Sequence, residues 1–302
     1  MSYLRRTLPG MTTVELPVSG PFSLRASIRF LEGFAPARYR PTGDAVLRLA
    51  FPVEGDGTAV GVAVRHPDPE RVVAEVDGPV PDRLPAQLAR ILSLDVDGGA
   101  YPDVLAADPV LAAVAARHEG LRPVCFWSPY EAACYAVLSQ RTSRVAAAAV
   151  KHRIAREHGQ TLRVDGLDLV SFPSPARLSS VAAELPVPEM KQDRLRGVAE
   201  AALDGVLDGD RLRAVPVADA VAAVRAIPGI GPFSAELVVV RGAGAPDVFP
   251  RSEGRLLAAM CALYERPSAG VDELAQVAER WAPYRSWAAV LIRSDGEGAA
   301  AA

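Results

Sequence analysis

The pattern of hydrophobic and polar positions changes its period early in the chain. Between residues 21 and 80, short segments alternate apolar and polar residues, which is the period of half-buried β-strands. Groups of Pro, Gly and Asp that favour turns separate these segments. The alternating segments cover residues 22–28, 45–51, 58–64 and 71–76. Together they predict a small antiparallel sheet.

Helical spacing follows, first over residues 81–94 and then from residue 100 to near the end. Asp108-Pro109 and Ser128-Pro129 each combine a side chain that caps a helix with a proline suited to its first position. Predicted helices begin at residues 108, 128, 143 and 174, and others cover 192–204, 217–226, 272–280 and 286–292. A sheet followed by many helices predicts an α+β fold. We expect an N-terminal extension over 1–20, a mixed α/β appendage over 21–115, a mostly helical module over 116–295 and a disordered tail over 296–302.

Charge and cysteine content narrow the class of protein. The chain has a formal net charge of −3, which argues against non-specific coating by nucleic acid. A basic face is still expected, because the segment 117–163 carries eight Arg and Lys side chains. The three cysteines form no C-x-x-C pair and suggest neither a disulfide framework nor an iron–sulfur cluster. With no apolar run of membrane-spanning length, we expect a cytoplasmic protein without a membrane partner. The basic segment is compatible with binding a DNA duplex at one face, and therefore with a nucleoid-associated protein.

The segment Ile227–Leu237, with the sequence IPGIGPFSAEL, is the most informative part of the chain. Gly229 and Gly231 permit a sharp turn between a helix that ends near residue 226 and one that begins near residue 232. Backbone N–H groups exposed by such a turn bind anions, and Ser234 adds a hydroxyl. A DNA phosphate is the natural ligand. The two glycines alone are equally compatible with an ordinary tight turn between packed helices.

The order of residues in this segment resembles the helix-hairpin-helix element of the DNA glycosylase superfamily. The following residues 241–250 resemble that superfamily's Gly/Pro-rich loop, and the alignment brings Glu253 to the position of its catalytic aspartate. Other segments are similar in order and spacing to the bacterial 3-methyladenine DNA glycosylase II family. They are residues 120–124, 128–132, 138–143, 172–175 and 281–287. The implied fold is a mostly helical helix-hairpin-helix glycosylase core with an N-terminal antiparallel-sheet α/β appendage.

The resemblance implies a base-excision DNA repair glycosylase. Such an enzyme hydrolyses the N-glycosidic bond of damaged bases that are flipped out of duplex DNA. Alkylated bases are the expected substrates. Glu253 is the candidate catalytic residue. The candidate DNA-binding residues are Gly229, Gly231, Ser234, Gln140 and Arg141, and the candidate base pocket comprises Phe34, Phe233, Leu237, Trp287 and Arg293. The expected partner of the monomeric protein is double-stranded DNA containing damaged bases.

No cofactor and no side-chain metal site are implied, although a monovalent ion can bind hairpin carbonyls, here those of Arg225, Ile227 and Ile230. Phe233 stands where the lyase branch of the superfamily carries a nucleophilic lysine. Phenylalanine cannot form a Schiff base. The resemblance therefore implies a monofunctional glycosylase without lyase activity.

Three departures from the family pattern leave a second function open. Glu253 is one methylene longer than aspartate, and Leu237 and Arg293 stand where the family often has aromatic residues. The alternative is a catalytically weak or inactive relative that binds lesions. A third hypothesis is an unrelated helical protein whose hairpin binds a partner or another phosphate ligand.

Several candidates also have a purely structural interpretation. Without the alignment, Glu253 is a solvated residue near a helix start, and Gln140 and Arg141 form an exposed helix end. Trp287 belongs to a helically spaced aromatic group that favours the core over a pocket. Arg285 fits either a carboxylate or a phosphate.

Overall fold

A computed structural model describes residues 3–8, 11–37, 39–40 and 42–299. The N-terminal part contains a five-stranded antiparallel sheet with the strand order β1-β2-β5-β4-β3. Its strands are β1 (Leu4–Leu8), β2 (Met11–Pro17), β3 (Leu47–Pro52), β4 (Ala59–Asp68) and β5 (Arg71–Asp77). The last three overlap predicted strands, so the antiparallel sheet is confirmed.

Residues 4–17 are part of this sheet and not an extension preceding it. β2 lies between β1 and β5, with Met11 opposite Asp77 and Pro17 opposite Arg71. Val14 and Leu16 of β2 are fully buried. The predicted boundary at residue 20 is therefore wrong. The alternation of buried and exposed positions in β2 has the strand period, but the segment contains too few apolar residues to stand out.

The strand predicted over residues 22–28 is instead the start of helix α1 (Leu24–Gly33). The Ser23 hydroxyl accepts a hydrogen bond from the Ala26 amide at 3.2 Å and caps this helix. Leu24, Ile28 and Leu31 are buried, at the i, i+4, i+7 spacing of one helical face. Seven residues were too short a window to separate the two periods.

Helices make up most of the chain after residue 83. They are α2 (Leu84–Ile91), α3 (Tyr101–Ala106), α4 (Pro109–Ala115), α5 (Pro129–Ser139), α6 (Arg144–His158), α7 (Pro175–Ser180), α8 (Glu189–Leu203), α9 (Gly209–Ala214), α10 (Val217–Arg225), α11 (Pro232–Leu237), α12 (Gly254–Leu263), α13 (Val271–Glu279) and α14 (Arg285–Ala299). A 3₁₀ turn covers Ala182–Glu184, and a π-helical turn, Val238–Gly242, extends α11. The α+β class is confirmed.

Two features of the later chain differ from the prediction. A hairpin of β6 (Thr161–Val164) and β7 (Leu167–Val170) follows α6. It packs closely on the sheet, because a Cβ atom added to Gly61 of β4 would lie only 2.5 Å from a Val164 methyl group. At the end of the chain, α14 continues to Ala299, so residues 296–299 of the predicted tail are helical. Residues 300–302 of that tail lie outside the described residues.

The buried side chains form three main clusters. One fills the space between the sheet and helices α1 and α2. A second cluster lies among the helices from α5 through α11. A third lies between α4 and the three helices α12, α13 and α14. The three cysteines are free, and Cys125 and Cys134 are buried. Among the described residues, no helix is long and apolar enough to cross a membrane.

Candidate active site

A cavity of about 550 Å³ opens where the two helical clusters meet the end of α1. Its walls come from α1, α5, α11 with its π-helical turn, α12 and α14. Four of the five residues predicted for the base pocket line it together with the predicted catalytic residue. These residues are Phe34, Phe233, Leu237, Arg293 and Glu253. Residues far apart in the sequence thus share one cleft.

Glu253 immediately precedes α12 and contributes its side chain to the cavity wall. It occupies the N-cap position, but its carboxylate accepts no hydrogen bond from the first turn of the helix. The Arg293 Nε atom of α14 lies 3.5 Å from the Glu253 Oε1 atom. The two side chains are 20% and 24% exposed, for Arg293 and Glu253 respectively, so water reaches the pair. The carboxylate faces the shared cleft but already has a cationic partner there.

The loop that precedes Glu253 is fixed to the start of α14. Arg285 donates two hydrogen bonds to the Asp247 carboxylate, from Nε at 2.7 Å and from Nη2 at 2.8 Å. Burial alone raises the pKa of Asp247, but the hydrogen bonds and charge of Arg285 outweigh it and lower that pKa. The Ser286 hydroxyl also bonds the backbone N–H and C=O of Val248. Arg285 therefore binds a carboxylate of its own chain and holds the loop that carries Glu253.

Glu236 of α11 holds the same loop from the opposite side. Its carboxylate accepts the Ser252 N–H at 2.9 Å, one residue before Glu253. Glu236 itself lines the cavity. The backbone around Glu253 is therefore braced from both α11 and α14.

The aromatic part of the cavity is built around Phe34, just beyond the end of α1. Phe34 stacks on Phe30 at 5.5 Å and meets Phe126 edge-on at 5.1 Å. The Arg241 guanidinium lies 4.9 Å from the Phe34 ring centre and 5.0 Å from that of Phe30. It also donates to the Val124 carbonyl at 2.6 Å. Sequence reasoning missed Arg241, Phe30 and Phe126, since no local pattern announces a contact between such distant segments.

Trp287 does not line this cavity, so its assignment to the base pocket is wrong. It is 3% exposed and packs with Tyr101 and Tyr284 in a separate small core. The Arg122 guanidinium lies 5.0 Å from its ring centre. Trp287 is on the buried side of α14, whereas Arg293 of the same helix lines the cavity.

The hairpin itself connects α10 to α11 beside the cavity. Gly229 has φ +88°, a conformation that side chains rarely adopt. Its added Cβ would also lie 2.5 Å from the Arg194 Cδ atom, whereas Gly231 has open space around it. Phe233 is 44% exposed and Ser234 is half-buried. Of these residues, the partly exposed Phe233 lines the cavity.

Gln140 and Arg141 follow the end of α5 but differ in their surroundings. The Gln140 Nε2 atom donates to the Gly229 carbonyl at 2.6 Å, and its Oε1 atom accepts from Arg194. Gln140 therefore braces the hairpin from inside. Arg141 is exposed and has φ +52°. Of the two predicted DNA contacts, Arg141 is the one whose side chain faces solvent.

The hairpin carbonyls retain some capacity for a cation. The Ile227 carbonyl accepts the Ile230 N–H at 3.0 Å, which leaves its second lone pair for an ion. Across the described part of the chain, no three His, Cys, Asp or Glu side chains are grouped as metal ligands. The monovalent ion at the hairpin carbonyls stays a prediction.

No protein-family profile matches the chain. The chain is 29% identical over 291 residues to the probable bifunctional transcriptional activator/DNA repair enzyme AlkA of Mycobacterium tuberculosis. The alignment covers 92% of this chain and 56% of that protein. The chain thus spans little more than half the length of this relative. The chain is also 27% identical over 286 residues to DNA-3-methyladenine glycosylase 2 of Escherichia coli. That alignment covers 90% of this chain and 93% of the relative.

The fold is also that of a solved glycosylase structure. The 3-methyladenine DNA-glycosylase from Archaeoglobus fulgidus superposes with a TM-score of 0.75 and 21% identity, over 93% of this chain and 98% of that one. At this identity the likeness establishes the fold. Together with the sequence relatives, it confirms the resemblance seen in the sequence. The chain is thus similar in sequence to these DNA repair enzymes and has the fold of a 3-methyladenine DNA-glycosylase.

Proposed function

We propose that this protein is a DNA repair glycosylase that hydrolyses the N-glycosidic bond of damaged, alkylated bases in double-stranded DNA. The observation that carries the proposal is the position of Glu253 on the same cavity as Phe34, Phe233 and Leu237, beside the hairpin. A cavity of about 550 Å³ lies within the range of small-molecule sites and can hold a base rotated out of the duplex. The names of the sequence relatives agree with this function.

The chemistry requires a carboxylate close to the sugar. Cleavage of a glycosidic bond passes through an oxocarbenium-like sugar, whose positive charge an ionised carboxylate stabilises. Glu253 supplies that carboxylate at the cavity wall and can align the attacking water. The loop bonds from Arg285, Ser286 and Glu236 fix its backbone, so the base enters a site that is already assembled.

The positions of the lysines support the proposal that the reaction is monofunctional. The chain has two, Lys151 and Lys191. Lys151 pairs with the buried Glu131 at 2.8 Å, and Lys191 donates to the Leu138 carbonyl at 2.7 Å. Neither residue lines the cavity, where Phe233 lies at the hairpin. Without an amine at the sugar, the reaction ends at an abasic site and no Schiff base forms.

The DNA would lie across the hairpin. The backbone of Gly229, Gly231 and Ser234 faces one phosphate, and Arg141 extends toward the next part of the strand. A monovalent ion at the carbonyls of Arg225, Ile227 and Ile230 would stabilise the same turn. In this scheme one copy of the chain provides all the groups that the reaction uses, so a monomer suffices.

The deciding experiment is single-turnover base release from duplexes carrying 3-methyladenine, 7-methylguanine, hypoxanthine or ethenoadenine. We expect release by the wild type, a loss of about a hundredfold or more in Glu253→Gln, and no loss in the exposed control Glu119→Gln. Strand breaks should appear only after alkali treatment of the product. Breaks without alkali would contradict the monofunctional scheme.

The second candidate is a lesion-binding protein with little catalysis, and the Glu253–Arg293 pair favours it. A carboxylate held by a cation is less available to a cationic sugar. No release by the wild type, combined with tight binding of an abasic duplex, would select this candidate. DNA binding that is absent or insensitive to salt would exclude both, because phosphate contacts release counterions.

A further inference from the structure

Two basic side chains of α8 lie outside the candidate base cavity, against the end of α5 and the hairpin. Lys191 and Arg194 are three residues apart, so they project from the same face of the helix. Both side chains are half-buried. The Lys191 Nζ atom donates to the Leu138 carbonyl at 2.7 Å and to the Thr142 hydroxyl at 3.1 Å. Lys191 therefore places a positive charge next to the segment that carries Arg141.

Arg194 lies directly against the hairpin turn. Its aliphatic part packs on Gly229, because a Cβ atom added to that glycine would lie 2.5 Å from the Arg194 Cδ atom. Its Nη1 atom donates to Gln140, which in turn donates to the Gly229 carbonyl. Among the described residues, Gln140 is the one hydrogen-bond partner of a guanidinium that carries five N–H groups. None of the Arg194 nitrogens is buried without a partner, so the unused donors reach solvent beside the turn.

No carboxylate balances the two charges. Within the described part of the chain, neither Lys191 nor Arg194 forms an ion pair, and their hydrogen bonds end on neutral oxygens. The acid between them in the sequence, Asp193, pairs with Arg196 at 3.1 Å. Burial and the charge of Arg194 lower the pKa of Lys191. Charged groups that are partly removed from water are normally paired, and an anion bound by both side chains would supply the missing charge.

We infer that Lys191 and Arg194 bind a backbone phosphate of the DNA beside the hairpin, at a site separate from the backbone amides of the turn. The inference rests on the proposed function and deepens it by assigning a further contact to the same substrate. A phosphodiester carries its negative charge on two non-bridging oxygens, which suit an ammonium and a guanidinium as donors. Because Arg194 packs on Gly229, a strand that lies across the hairpin passes next to this site.

The competing interpretation is purely structural. In that case Lys191 and Arg194 only fix the end of α5 and the hairpin through the Leu138 carbonyl and Gln140. The salt dependence of DNA binding separates the two interpretations. A cation that contacts a phosphate releases counterions and steepens this dependence, whereas a side chain that only braces the protein does not.

The test is equilibrium binding of the full chain to a fluorescent duplex with a tetrahydrofuran abasic site, at several salt concentrations. Arg194→Gln and Lys191→Gln each remove a charge but keep a hydrogen-bond donor. Each should reduce the slope of log affinity against log salt by about 1. Arg194→Lys keeps the charge and should keep the wild-type slope. Arg196→Gln is the matched control on the same helix, because Arg196 already pairs with Asp193, and its slope should not change.

The outcomes distinguish the inference from the proposed function. An unchanged slope in a folded glutamine variant would overturn the inference, even if its affinity fell equally at every salt concentration. A slope reduced as much in Arg194→Lys as in Arg194→Gln would also overturn it, because the charge would then not be what binds. Base release by the wild type would leave the glycosylase function standing in both cases. Reduced slopes in the glutamine variants without base release by the wild type would support the inference and contradict the function. Thermal unfolding identifies a variant that does not fold, and the other glutamine variant then decides.

Discussion

At the scale of single residues, the length of the Glu253 side chain is the feature that most affects the chemistry. The carboxylate spans the cleft toward Arg293 from a backbone that Asp247 and Glu236 hold in place. Shortening it to aspartate would withdraw the charge by roughly 1.5 Å, and a displacement of ~1 Å can cost about a hundredfold in rate. We expect Glu253→Asp to release bases at least ~tenfold more slowly in single-turnover assays. A rate equal to the wild type would show that the extra methylene has no role.

The same variant should hardly change stability. The ion pair with Arg293 is open to water, and exposed pairs contribute about 1 kcal/mol at most. The carboxylate also provides no cap for α12. A melting temperature well below that of the wild type would mean that the slower rate reflects unfolding and not geometry.

Arg141 and Gln140 are adjacent, but they should affect DNA binding in different ways. Arg141 is exposed, so its charge can neutralise a phosphate, and losing one such contact reduces the salt slope of binding by about 1. Arg141→Asn is the suitable variant because asparagine tolerates φ +52°. Gln140→Leu removes the bond to the Gly229 carbonyl and should weaken binding without changing the slope. Titrations of fluorescent duplex at several salt concentrations measure both; equal slopes in all three proteins would contradict the role of Arg141.

At the scale of elements, the two glycines of the hairpin differ in whether they can be replaced by a residue with a side chain. An alanine at Gly229 would combine a left-handed φ with contact against the Arg194 side chain, which should cost about 1–3 kcal/mol. Gly231 has an ordinary φ of −87° and no neighbour within 4 Å of an added Cβ. We therefore expect Gly229→Ala to lower the free energy of unfolding in denaturant titrations and Gly231→Ala to leave it nearly unchanged. The reverse order would refute the turn geometry.

The elements also show where sequence patterns succeed. Strands β3, β4 and β5 were predictable because alternation and turn residues coincide there. The strand predicted over residues 22–28 failed because Leu24 and Ile28 satisfy both a two-residue and a four-residue spacing. The helix is favoured by packing of its apolar face against the sheet, and a short sequence window contains no information on that packing.

The candidate site also contains features that the sequence predicted and features that it did not. The hairpin and the loop to Glu253 have a fixed order of glycines and prolines, so their resemblance to the superfamily was visible in the sequence. Arg241 beneath Phe34 was not visible, because the contact joins α1 to the π-helical turn. Trp287 was assigned to the pocket by the family resemblance, whereas its helical spacing favoured the core. The structure confirms the core position, where Trp287 packs against Tyr101 and Arg122.

At the scale of the whole molecule, Arg122 joins the sheet to the helices that form the cavity. It is 1% exposed and donates to the carbonyls of Ser19, Pro21, Ser93 and Val96. Burial lowers the pKa of Arg122 to about 10, so its guanidinium stays charged at neutral pH. The four carbonyls and the Trp287 ring offset the cost of burying that charge. One side chain thus connects the segment before α1, the segment after α2 and α14.

This arrangement predicts that Arg122→Lys destabilises the entire chain. An ammonium group offers three donors on a flexible stem and cannot reproduce the planar arrangement that meets four carbonyls. Each buried carbonyl left without a donor costs ~1–3 kcal/mol, so we expect a loss of about 3 kcal/mol or more. Arg117→Lys is the control, because Arg117 is 52% exposed and pairs with Asp295 at the surface. Because α14 carries Arg293, Arg122→Lys should also lower base release before the protein unfolds, as measured at a temperature below its melting transition. Equal melting temperatures for the two variants would show that the sheet and the helices are held together without Arg122.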